Sequence, residues 1–145
     1  MTKIIKFIFS VFIWSTIAIT AIANESFYDE ALKMYKEKNY DDAKFLFERN
    51  IVYNPKNVSS YLYLAKIYNK KEDQKKEEQN LDTVLLIEPT NEEAILMSMK
   101  IALEKSNYSK VKDLSNTFTK VCKKLCDDNK DVLETLANIE PKNDS

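Results

Sequence analysis

The side chains that ordinarily do chemistry are sparse in this chain. Cys122 and Cys126, separated by Lys-Lys-Leu, are its two cysteines. Two thiols at that spacing have two uses. They can bond to each other: on a helix their Cα atoms would lie about 6 Å apart, and a turn after Leu125 would relax the bridge. Or they can cycle between thiol and disulfide. The cycling use has less behind it, because the spacing is not C-x-x-C and the chain has no histidine to lower a thiol pKa. The bonded reading makes the pair a staple between the last repeat and its cap. Two cysteines without histidine also fall short of the four ligands zinc takes, so no metal is expected.

Two absences narrow the function further. Without histidine the commonest general base is missing. Without glycine there is no phosphate-cradling loop, and tight hairpin turns are disfavoured. No cofactor is therefore expected, and no catalytic residue emerges. Charge is nearly balanced, 22 Lys and Arg against 23 Asp and Glu. That is not the basic field of a nucleic-acid binder.

The elements that position these residues begin after a distinct amino terminus. Lys3 and Lys6 precede an apolar run from Phe7 to Ala23 that ends in Ala21-Ile22-Ala23. This order predicts a signal peptide over residues 1–23, cleaved before Asn24. The alternative is an N-terminal membrane anchor, for which the run is at the short limit. Either way residues 24–145 are expected outside the cytoplasm, periplasmic or extracellular, or tethered to the inner membrane. Removing residues 1–23 takes away two lysines and no acid, moving the formal net charge from −1 to −3.

Beyond that point the chain repeats. "IVYNPKN" at 51–57 and "LLIEPTN" at 85–91 place Pro55 and Pro89 34 residues apart. At the same period Phe27 becomes Tyr61 and Ile95, Ala31 becomes Ala65 and Met99, and Ala43 becomes Glu77 and Val111. Within each unit the apolar residues fall three and four apart, as on helix faces. Each unit therefore reads as two antiparallel helices, bending at Asn39, Asp73 and Asn107, whose side chains tolerate left-handed backbone. A helix pair cannot bury its apolar face alone, so neighbours must stack.

These positions resemble the tetratricopeptide repeat (TPR) family, which has this period. The resemblance covers residues 24–57, 58–91 and 92–125 as three repeats. Residues 126–140 follow as a C-terminal capping helix, and 141–145 as a disordered tail. It implies an all-α, right-handed superhelical stack of helix-turn-helix units. Glu77, Asn50 and Ser115 depart from it, standing where the family prefers alanine or apolar residues. It also implies a non-catalytic scaffold that binds a protein partner along a concave groove. That groove would be lined by Tyr28, Leu32 and Tyr35, then Leu62, Lys66 and Asn69, then Leu96, Lys100 and Leu103. Relatives that grip a chaperone's terminal carboxylate use a Lys–Asn pair where this chain has Tyr28 and Leu32. That specialised role is not implied. No nucleic acid is expected as a partner, and a membrane only if residues 1–23 are retained.

Overall fold

The computed structural model describes residues 27–139. The leader, its anchor alternative and the tail at 141–145 lie outside the described residues. Seven helices occur among the described residues, and no strand: α1 (27–36), α2 (Tyr40–Tyr53), α3 (Val58–Lys70), α4 (Gln74–Ile87), α5 (Glu92–Glu104), α6 (Tyr108–Val121) and α7 (Asp128–Ile139). None is long and apolar enough to cross a membrane. Two compact units divide at Ser60 and Tyr61.

The turns inside the helix pairs are built alike, without glycine. α1 ends with Lys38 N–H donating to Tyr35 O at 3.0 Å and Asn39 N–H donating to Met34 O at 2.9 Å. Glu72 and Asp73 repeat this on Asn69 and Tyr68, and Ser106 and Asn107 on Leu103 and Ala102. This bond pair is the Schellman closure, which requires one left-handed residue. That residue is Lys38, Glu72 or Ser106, at φ 62°, 58° and 54°. The expectation that Asn39, Asp73 and Asn107 take the left-handed conformation is thereby corrected by one position. Their φ values are −81°, −91° and −88°, and each caps the next helix. The side-chain oxygens accept from Asp42, Lys76 and Lys110 N–H at 3.5, 3.2 and 3.1 Å. An acceptor side chain does more at the cap than in the turn before it.

Between helix pairs the chain turns at proline. Asn57 N–H donates to Asn54 O across Pro55 at 3.0 Å, and Asn91 N–H to Glu88 O across Pro89 at 3.1 Å. Proline's fixed φ suits the second position of such a turn.

In the first unit the core is Ala31, Ala43 and Phe47, all fully buried. The alanines let α1 and α2 approach, and rings fill the space beside them. Tyr28 packs tilted on Phe47 at 5.9 Å, and Phe27 stacks on Tyr53 at 5.8 Å. In the second unit Leu64, Ala65, Ile67, Leu81 and Val84 are buried. A larger cluster joins Ile95, Met99, Val111 and Phe118 to Val132 and Leu136 of α7.

The polar departures from the repeat pattern are each satisfied. Asn50, 1% exposed, donates from Nδ2 to buried Ser60 Oγ at 2.8 Å. Ser115 Oγ donates to Asn129 Oδ1 at 3.0 Å, and Asn129 Nδ2 donates to Thr119 Oγ1 at 3.3 Å. Asn69 Nδ2 reaches both Glu77 carboxylate oxygens at 3.1 and 3.2 Å. The polar opening of α4 is tied to its successor too: Gln74 Nε2 donates to Glu104 at 2.6 Å, and Glu78 pairs with Lys105.

Candidate functional site

The residues expected to line a groove do not share one environment. In the first unit Tyr28, Leu32 and Tyr35 are half-buried. Tyr28 leans on Phe47, and Tyr35 sets its edge against Tyr40 at 5.5 Å. In the second unit Leu62 is half-buried. Lys66 Nζ pairs with Glu93 at 2.8 Å and lies 4.8 Å from the Tyr63 ring centroid. Asn69 is occupied by Glu77. Leu96 is 6% exposed and belongs to the core cluster, so its side chain packs inward. Lys100 is exposed, and Leu103 is half-buried against that cluster.

Lys100 and Leu103 come together in a cleft of about 340 Å³ between α5 and α7. Lys100, Leu103 and Glu104 line it from α5, at the i, i+3, i+4 spacing of one helix face. Asp128, Asp131, Val132 and Thr135 line it from α7, on one face by the same rule. Leu103 and Val132 supply the apolar part, and charged groups surround them.

The α7 wall is held at both ends. At its start, Glu92 of α5 accepts from three consecutive backbone N–H groups of the α6–α7 loop. Lys123 donates at 3.0 Å, Lys124 at 3.0 Å and Leu125 at 2.9 Å. The Lys124 and Leu125 bonds hold the Glu92 carboxyl below its ordinary pKa. Cys122 and Cys126 bracket this loop, with sulfur atoms at bonding distance and Cα atoms 5.4 Å apart. α6 ends at Val121, with Cys122 as its cap, so the pair spans a turn and not a helix. At the far end Tyr108 O–H donates to Ile139 O at 3.4 Å. Sequence reasoning missed Glu92, Asp128, Asp131 and Thr135 as parts of this region. Carrying the helical-face spacing on from Val132 would have found the last three. Glu92 leaves no local signal, since its partners lie more than thirty residues away.

Glu77 of α4 is a buried acid, 4% exposed. Burial raises its pKa, the Asn69 hydrogen bond opposes the rise, and the nearby charges of Glu104 and Glu78 add to it. Folded chain thus holds this proton more tightly than unfolded chain. Its contribution to stability falls as pH rises from the ordinary carboxylate range through the raised folded value. Chemical unfolding of Glu77→Gln across that window should show the variant gaining on the parent as pH rises, then levelling. Parallel stability curves would refute the assignment.

Nothing among the described residues groups three or more His, Cys, Asp or Glu as metal ligands. Neither the family models nor the sequences of curated proteins give a match to this chain. Solved structures do. The TPR domain of Arabidopsis OM64 is similar, with a TM-score of 0.71 and 18% identity, over 82% of this chain and 98% of that one. The Yersinia enterocolitica type III secretion chaperone SycD, in complex with a peptide of the translocator YopD, gives 0.69 and 14%, over 79% and 90%. The second TPR domain of human RPAP3, in complex with the HSP70 peptide SGPTIEEVD, gives 0.64 and 18%, over 86% and 98%.

Proposed function

With a tetratricopeptide-repeat fold in hand, we propose that this chain is a non-catalytic protein-interaction module. Its ligand is a peptide segment of a partner protein, docked in the cleft between α5 and α7. The observation that carries this reading is the cleft itself. It joins an apolar floor at Leu103 and Val132 to charged side chains from two helices. Such a combination orients a segment by its polar groups and binds it by its apolar ones. SycD and RPAP3 hold peptides on the same fold. Tyr28, Leu32 and Tyr35 in the first unit, and Leu62 in the second, are proposed as further contacts, each on its own unit. Tyr28 and Leu32 stand in place of the Lys–Asn pair of carboxylate-gripping relatives, which argues against a chaperone tail as ligand.

We also propose that the protein is exported. Lys3, Lys6, the apolar run and Ala21-Ile22-Ala23 support a cleaved leader. An oxidising compartment suits a structural disulfide between Cys122 and Cys126, closing the loop that leads into α7.

Photo-crosslinking in the native host tests the docking site. A photoreactive side chain at Lys100 or Thr135, both exposed and lining the cleft, should capture the same partner. One at Asn116, exposed on α6 and outside the cleft, should not. Equal capture from all three positions would sink the proposal.

A further inference from the structure

The charges around the α5–α7 cleft narrow its occupant; this inference rests on reading that cleft as a docking site. Glu104 lies beside Lys100 on the α5 wall, and Asp128 and Asp131 stand on the α7 wall, an excess of negative charge. Among the described residues Asp128 and Asp131 make no ion pair. Glu104 accepts a hydrogen bond from Gln74, a neutral donor that leaves its charge uncompensated.

Helix stability accounts for part of this pattern and not for the rest. Asp128 and Asp131 stand in the first turn of α7, where the helix dipole favours carboxylates. Glu104 is the last residue of α5, where the dipole opposes a carboxylate. A charge that breaks the local rule while lining a cleft is the kind of departure that function explains. The apolar neighbours Leu103 and Val132 lower the local dielectric and strengthen the attraction for a cation.

We infer that the cleft takes a basic amphipathic segment of a partner protein, with an apolar side chain on Leu103 and Val132 and lysine or arginine among Glu104, Asp128 and Asp131. An acidic segment would meet three like charges and one opposite.

Fluorescence anisotropy with two labelled probes tests this. One is a fourteen-residue peptide of leucines at helical spacing separated by lysines. The other has glutamate for every lysine. The purified protein should bind the lysine peptide at least tenfold tighter, with the preference shrinking as salt is added. The double variant Glu104→Lys/Asp131→Lys should invert the preference. Reversing Asp82 and Asp113, exposed acids outside the cleft, should leave it intact. Circular dichroism and melting of each variant establish that it is folded. A preference that the cleft variant does not move, or that the outside variant removes equally, overturns the charge inference. If both peptides bind equally and Leu103→Asp abolishes both, the docking cleft stands and its basic partner falls. If neither peptide binds, both readings fall.

Discussion

Phe118→Ala is expected to lower the unfolding free energy by about 3–5 kcal/mol, the range for truncating a buried phenylalanine. Phe118 is fully buried and sits in the cluster that joins α5 and α6 to Val132 and Leu136 of α7. Its removal leaves a cavity bordered by three helices, and stacked helices cannot collapse into it without losing contacts elsewhere. Domains of this size hold only about 5–15 kcal/mol of net stability, so the loss is a large share. Urea unfolding should show a lower midpoint at unchanged slope. Leu86→Ala is the control. Leu86 is 82% exposed, and surface changes of this kind stay within about 0.5 kcal/mol. If Phe118→Ala behaved like the control, the α5–α6–α7 cluster would not be the core of that unit.

Placing glycine at Lys38, Glu72 and Ser106 together should stabilise the chain, in contrast with glycine's usual effect in a helix. All three are exposed and sit at left-handed φ near 60°. A side chain there costs about 1–2 kcal/mol relative to right-handed backbone, and glycine avoids the clash. Part of the gain is offset by the extra freedom glycine gives the unfolded chain. A net gain of roughly 2 kcal/mol for the triple variant follows, raising Tm on the order of 10 °C. The three turns belong to different repeats and share no hydrogen-bond partner, so their effects should add. Ser106→Val should move the other way, because a β-branched residue is least at ease at this φ. A triple variant melting no higher than the parent would show that these turns carry no strain.

The repeat architecture was legible because it rests on side-chain types recurring at a fixed interval. Ala31, Ala43 and Ala65 could be read as close-approach positions, and they are fully buried. Asn39, Asp73 and Asn107 were legible as boundaries. Their backbone conformation was not, since an asparagine serves either as a turn residue or as a cap, and here the cap wins. Leu96 shows where counting along one helix runs out. Its position projects outward from α5 alone, but the core that α5, α6 and α7 share takes it in. The α7 wall depends on Glu92 finding loop amides far along the chain, a contact that no local pattern encodes.

The buried polar pairs bear on how near-copies avoid being confused with one another during folding. Asn50 with Ser60 and Ser115 with Asn129 each cross from one repeat into the next element, at different places in the repeat. A chain slipped by one repeat would set Asn50 against Ala94 and Ser115 against Ile95, with no partner for either amide or hydroxyl. Each such orphan costs about 1–3 kcal/mol, against a modest penalty for mismatched hydrocarbon shapes. The two pairs thus work as address labels, giving interchangeable-looking segments a single admissible order of assembly.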